Sequence, residues 1–135
     1  MNQQPPSAKP KRSLNILCID DDEQILEMMK AWLTHHGHRV KVASGGKRGL
    51  ELFCTAILKS KPYDAVITDL AMPDIDGCQV ASSIKIESPS TPILLLTAWG
   101  STLKDDAAIV STVDAVLSKP PRMLELNHLL QRMAC

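Results

Sequence analysis

Asp20, Asp21 and Asp22 follow one another directly, Asp69 stands at the end of the run Ala65 to Thr68, Thr97 closes a second apolar run, and Lys119 lies between a serine and two prolines. An aspartate carboxylate can attack phosphorus to form an aspartyl-phosphate, a transfer whose catalysis is mostly positioning and charge neutralisation. Carboxylates gathered together repel one another, so a cluster of Asp20, Asp21 and Asp69 calls for a cation. A hard divalent ion suits oxygen ligands, and Mg²⁺ in particular keeps several waters and leaves room for a phosphate oxygen. On this reading the metal bridges Asp69 and the incoming phosphoryl group, while the Lys119 ammonium and the Thr97 hydroxyl each take one of its oxygens.

Such chemistry requires elements that bring distant residues to one place. Leu14 to Ile19 is a nearly continuous apolar run of the kind that forms a strand buried on both faces. Ile25, Leu26, Met28, Met29, Trp32 and Leu33 recur at helical spacing over Glu23 to His36, with Gly37 as the helix stop. Arg39 to Ala43 predicts a second strand. A helix over Lys47 to Ser60 places Leu50, Phe53, Cys54, Ile57 and Leu58 on one face. Ala65 to Thr68 predicts the third strand, and the loop Pro73 to Gly77 leads into a helix through Val80, Ile84 and Ile86. Ile93 to Leu96 predicts the fourth strand, Leu103 to Val110 a helix, Ala115 to Leu117 the fifth strand, and Leu124, Leu126, Leu129, Leu130 and Met133 a last helix. Strand and helix alternate five times, which predicts an α/β fold, a doubly wound parallel sheet with helices on both faces. In such sheets polar groups at the carboxyl ends of the strands converge on one edge. Asp20 to Asp22, Asp69, Thr97 and Lys119 stand at four of those ends.

With that placement the chain resembles the response-regulator receiver domains of two-component signalling, over about residues 14 to 133. The residues that carry the likeness are Ile16-Leu17-Cys18-Ile19-Asp20-Asp21-Asp22, then Asp69-Leu70-Ala71-Met72-Pro73-Asp74-Ile75-Asp76-Gly77, then Leu96-Thr97-Ala98 and Ser118-Lys119-Pro120. The resemblance implies a flavodoxin-like (βα)5 fold with strand order 2-1-3-4-5, the order given for a receiver among the standard examples of this architecture. It implies that Asp69 is phosphorylated, that Asp21, Asp69 and the backbone carbonyl of Ala71 bind Mg²⁺ with Asp20 helping through water, and that Thr97 and Lys119 recognise the phosphoryl group. It also implies a cis Lys119-Pro120 bond. The chain departs from the family pattern at Val116, where a Phe or Tyr is usual, at Thr112 and Val113, where a Gly-Ala pair is common, and at Pro121. Ala71 and Trp99, two residues beyond Asp69 and Thr97, occupy positions that in the family influence the lifetime of the phosphoryl group, and a bulky Trp99 is expected to hinder attacking water.

Each residue has a plainer reading when taken alone. Asp20 to Asp22 suit a solvated helix start, where acids favour the dipole. Asp69 suits a turn before Pro73, and Thr97 a helix cap. Their joint order at strand ends is what favours the chemistry. Trp32, Met28 and Met29 read as a core stripe, Lys47 and Arg48 as a solvated helix face, and so do Asp105 and Asp106. His35, His36 and His38 flank Gly37 without a companion ligand cluster and read as a solvated helix end rather than a metal site.

The 135 residues, 44% of them hydrophobic, suit one domain with one core, read as a tail over 1–13 and a receiver domain over 14–135. Lys plus Arg equals Asp plus Glu at 15 each, so no bulk basic field draws the chain to nucleic acid or anionic lipid. No apolar stretch approaches a membrane span or a signal peptide, and scattered cysteines suit a reducing cytoplasm. The expected function is a phosphorylation-controlled switch that takes its phosphoryl group from a sensor histidine kinase or a phosphotransfer protein, catalyses its own modification without separate substrate turnover, and signals to a downstream protein as a monomer or a phosphorylation-dependent dimer. The initiating Met1 and the end at Cys135 favour a stand-alone protein; the alternative is a receiver excised from a hybrid kinase or longer regulator. A phosphatase-type hydrolase also uses an aspartyl nucleophile with Mg²⁺, yet needs an acid close to it, and Ala71 is none. A binding module that keeps only the fold has no need of the intact Asp21, Asp69, Thr97 and Lys119 set.

Overall fold

The computed structural model describes residues 12–134. Five strands, β1 (Asn15–Ile19), β2 (Arg39–Ala43), β3 (Ala65–Asp69), β4 (Ile93–Thr97) and β5 (Ala115–Ser118), alternate with helices α1 (Glu23–His35), α2 (Gly46–Leu58), α3 (Gly77–Glu87), α4 (Gly100–Leu103), α5 (Ala107–Val110) and α6 (Met123–Met133). The strands form one parallel sheet in the order β2-β1-β3-β4-β5, as the family resemblance implied. All residues of β3 and β4 are buried, which is why these strands read as unbroken apolar runs, whereas the edge strand β2 alternates between exposed and covered positions. Ile19 pairs with Thr68, Asp69 with Leu96, and Thr97 with Ser118, so the carboxyl ends of β1, β3, β4 and β5 finish at one level.

Alternate residues of each strand feed two cores, because successive side chains point to opposite faces. On one face Ile16, Cys18, Ile67, Leu94 and Leu96 meet Leu26, Met29 and Leu33 of α1 and Leu126 and Leu130 of α6. On the other, Leu17, Ile19, Val66, Ile93 and Leu95 meet Phe53 of α2 and Val80, Ala81 and Ile84 of α3. Burying each such aliphatic side chain stabilises the fold by about 1.5–3 kcal/mol.

The structure corrects the sequence reading in several places. The single helix expected over Leu103 to Val110 is two separate turns, α4 and α5, because the Asp106 carboxylate accepts hydrogen bonds from the Ala108 and Ile109 amides and starts a new helix there. Leu58, placed on the buried face of α2, is 85% exposed at the last turn, and Cys54 is exposed as well. Met28 is 38% exposed while Met29 is fully buried, so the stripe on α1 is narrower than expected. His38 is no solvated residue: it is buried, its Nδ1 accepts the Leu14 amide at 3.0 Å, and its Nε2 lies 2.8 Å from Asn127 Oδ1 on α6. His35 and His36 are exposed, and the His36 ring stacks on Trp32. Arg12 and Ser13, assigned to the tail, are hydrogen-bonded to Gln131 and to the Gly37 carbonyl; residues 1–11 of that tail lie outside the described residues. No helix among the described residues is long and apolar enough to cross a membrane. Among them Cys18, Cys54 and Cys78 are free thiols, and burial, reinforced by the Asp20 charge, pushes Cys18 up to about 12, where it stays protonated.

Candidate functional site

β1 delivers Asp20 directly beyond Ile19, and the Asp22 carboxylate then caps α1 by accepting from the Gln24 and Ile25 amides. The turn between them is held by Asp20 Oδ1, which accepts the Asp22 amide at 2.9 Å. β3 ends in Asp69, and α3 starts eight residues later at Gly77, capped by Asp76: the Asp76 carboxylate accepts the Gln79 amide while the Asp76 amide donates to Gln79 Oε1, a capping box. Gly77 belongs to the same construction. Its amide donates to the Leu70 carbonyl at 2.8 Å, and a Cβ there would lie 2.2 Å from the Asp69 carbonyl oxygen. Only a residue without a side chain lets α3 begin so close to the end of β3.

These strand ends bring together most of the residues singled out in the sequence. One carboxylate oxygen each from Asp20, Asp21 and Asp69 lie within 4.8 Å of one another. Lys119 reaches in from beyond β5, its Nζ 3.0 Å from Asp20 Oδ2 and 3.1 Å from Asp69 Oδ1. Its amide donates to the Thr97 carbonyl at 2.9 Å, and the Lys119-Pro120 bond is cis, as the resemblance implied. Thr97 is buried at the end of β4, one residue past the Asp69–Leu96 pair, and its hydroxyl oxygen accepts the Trp99 amide at 3.2 Å. Trp99 itself is 59% exposed. Ala71 sits in the exposed loop two residues beyond Asp69.

Burial pushes the Asp69 carboxyl up from its ordinary value to about 6; the Lys119 hydrogen bond pulls against this, and the Asp20 charge adds to the rise. Burial would lower Lys119, but its pairing with Asp20 and Asp69 outweighs that and holds the ammonium above its ordinary value. By formal charge the cluster sets three carboxylates against one ammonium, and the difference, three minus one, is the charge of one divalent cation. Asp20 Oδ2 is buried without a hydrogen bond, its nearest partner being the Lys119 charge. A hard oxygen donor set, a net formal charge of minus two and a buried carboxylate oxygen whose one close partner is the Lys119 ammonium fit Mg²⁺. The arrangement can hold a metal beside a carboxylate nucleophile and stabilise charge developing on a phosphoryl group.

Two features escaped the sequence reading. Asp74, read only as a loop residue, accepts hydrogen bonds from the Gly46 and Lys47 amides at the start of α2. The signal was present in Gly45-Gly46, a helix start with no capping side chain of its own, whose amides need an acceptor from elsewhere. The other is a cavity of about 340 Å³ between α4, β5 and α6, lined by Lys104, Val116, Ser118, Arg122 and Glu125 among others, on the side where the family's usual aromatic is replaced by Val116.

Residues 16–131 match the family model described as the response regulator receiver domain. The chain is 34% identical to the response regulator MprA of Mycolicibacterium vanbaalenii over 89% of its own length and 48% of that protein. It is 31% identical to the response regulator ArlR of Staphylococcus epidermidis over 88% of its own length and 50% of that protein. It thus spans about half the length of these curated relatives. Among solved structures it is similar to a receiver domain protein from Clostridium thermocellum, with TM-score 0.80 and 29% identity over 90% of this chain and 94% of that one. It is similar also to the response regulator TrrA from Thermotoga maritima in complex with Mg²⁺-BeF, with TM-score 0.76 and 30% identity over 89% of this chain and 98% of that one.

Proposed function

Because the chain belongs to the response-regulator receiver family, we propose that it accepts a phosphoryl group on Asp69 from a phosphohistidine of a sensor kinase or phosphotransfer protein and signals to a downstream protein. The observation that carries this reading is the meeting of Asp20, Asp21 and Asp69 with Lys119 at the carboxyl edge of the sheet.

In this reaction an Asp69 carboxylate oxygen bonds to phosphorus as the donor's phosphorus–nitrogen bond breaks, and the imidazole leaves with that electron pair and gains a proton. Asp20, Asp21, Asp69 and the Ala71 carbonyl would hold Mg²⁺, which supplies neutralisation of charge on the transferring group. Lys119, already in place between Asp20 and Asp69, balances the remaining charge and takes one phosphoryl oxygen. The Thr97 hydroxyl takes another, so its present partner, the Trp99 amide, has to give way. That exchange links the phosphoryl group to the segment entering α4, and repacking of the face made by α4, α5, β5 and α6 follows as a shift between existing populations. The Trp99 indole at the mouth of the site slows attack by water. The protein modifies itself and turns over no separate substrate, and it works in the cytoplasm.

The test is incubation with Mg²⁺ and acetyl phosphate or phosphoramidate, followed by intact mass of wild type and Asp69→Asn. Gain of one labile, Mg²⁺-dependent phosphoryl group by the wild type alone is expected. Absence of uptake by folded wild-type protein, with a cognate kinase also tried, would mean that the fold serves only as a binding surface.

A further inference from the structure

The segment 70–76 leaves the sheet at Asp69 and rejoins regular structure at Gly77. Its far end is fastened by the Gly77 amide on the Leu70 carbonyl and by the Asp76–Gln79 capping box. Between these points stands Asp74, and its carboxylate spans a different helix: Oδ2 accepts the Lys47 amide at 2.9 Å and Oδ1 accepts the Gly46 amide at 3.2 Å. The backbone amides, that of Lys47 foremost and then those of Ile75 and Gly46, hold its carboxyl down at about 2.

The bond serves both parties. Gly45 precedes α2 without a side chain to cap it, so Asp74 supplies the acceptor that the first amides of the helix lack. In return α2, anchored in the core by Phe53, gives the loop a rigid wall. The seat is close: a Cβ on Gly46 would lie 2.5 Å from Ile75 Cγ1 and 2.9 Å from Val80 Cγ2. The arc from Leu70 to Pro73, which includes Ala71, is therefore strung between the end of β3 and a carboxylate fixed to the second helix.

Building on the function proposed above, we infer that Asp74 is a positioning residue for the metal site: by locking the loop to the start of α2 it holds the Ala71 carbonyl in place beside Asp69, so that Mg²⁺ affinity depends on a carboxylate that does not touch the ion. Groups that orient metal ligands without touching the metal characteristically govern affinity in this way.

Titration calorimetry with Mg²⁺ alone on the unphosphorylated full chain tests the inference. Asp74→Ala is expected to weaken Mg²⁺ binding by about tenfold. Asp74→Asn retains one acceptor oxygen for one of the two amides and is expected to fall between Asp74→Ala and wild type. Asp64→Ala serves as the control, since Asp64 accepts the Asn15 amide at 2.7 Å at the opposite end of the strands. It is expected to lower the melting temperature and leave Mg²⁺ affinity at the wild-type value. Wild-type affinity in Asp74→Ala, or an equal loss in Asp64→Ala, overturns the positioning role. Failure of the wild type itself to bind Mg²⁺ would overturn the underlying reading of the site and the inference with it, an outcome distinct from both.

Discussion

Alanine at position 77 would place a methyl carbon where the carbonyl oxygen of Asp69 already stands. The ideal Cβ lies 2.2 Å from that oxygen and 3.0 Å from Leu70 Cα, and both neighbours are backbone, so neither can rotate away. A comfortable carbon–oxygen contact needs about 3.3 Å, so α3 has to retreat from the end of β3 by about 1 Å. Overpacking of this kind costs about 1–3 kcal/mol. The same retreat breaks the 2.8 Å bond from the Gly77 amide to the Leu70 carbonyl, for about 1 kcal/mol more. Gly77→Ala should therefore lose about 2–4 kcal/mol, a fall of about 10 °C in melting temperature for a domain of this size. The displaced backbone is that of Asp69 and of the loop leading to Ala71, so function should suffer alongside stability: stabilisation by Mg²⁺ should shrink, and phosphoryl uptake at a temperature where the variant is folded should slow. Thermal melts with and without Mg²⁺, together with intact-mass kinetics, measure both. A variant that melts within about 2 °C of wild type and keeps its full Mg²⁺ response would show that α3 is free to move back from the site, contrary to this reasoning.

Other expectations follow from the same geometry. The Asp69 carboxyl, raised to about 6 without metal, binds its proton more tightly folded than unfolded, so its ionisation destabilises the fold as pH rises from the ordinary carboxylate range through 6. Metal-free Asp69→Asn should accordingly melt above wild type at pH 7, with an advantage that narrows below pH 6; melts across that range that run parallel would contradict the assignment. Lys119→Met leaves the buried Asp20 carboxylate without its cation and should make folding stability strongly dependent on Mg²⁺, which a titration of melting temperature against Mg²⁺ would reveal. His38→Ala orphans the buried Leu14 amide and Asn127 side chain and should cost about 2–6 kcal/mol at about 1–3 kcal/mol for each unmade bond, read by urea unfolding, with phosphoryl uptake by the folded fraction unchanged. Trp99→Ala should shorten the life of the phosphoryl group, and a dephosphorylation rate equal to wild type would dispose of the indole's shielding role.

Layer structure and the positions of Asp20, Asp21, Asp69, Thr97 and Lys119 at strand ends could be read from the sequence because each rests on local pattern, whereas the strand order β2-β1-β3-β4-β5 was implied only by the family resemblance. β3 and β4 are buried along their whole length, so their apolar runs are unbroken and the polar residue that ends each run marks the sheet edge. Features that depend on partners far along the chain were hidden. His38 follows a glycine in a turn and looks solvated until Asn127, 89 residues away, closes over it. Asp74 looks like a loop acid until the Gly46 and Lys47 amides, 28 and 27 residues back, are seen to need it. The division of the fourth crossover turned on competing local signals: Leu103, Ile109 and Val110 suggest one helix, while Asp106 is also a strong N-cap, and the cap prevailed. Leu58 shows another limit, since apolar periodicity gives the face of a helix but not where that helix runs past its sheet.

That divided crossover has a consequence for how signals would leave the protein. α4 buries only Gly100, and α5 buries no residue at all, so little apolar area secures either turn to β5. Segments with so few buried contacts open at a small fraction of the global unfolding free energy, and amide hydrogens of residues 100–110 should exchange with solvent long before those of β3 or β4. A partner that binds this segment would add buried contacts that α4 and α5 have few of on their own. If it grips the phosphorylated arrangement more tightly, thermodynamic reciprocity requires that the same partner, once bound, also favour the phosphoryl group on Asp69.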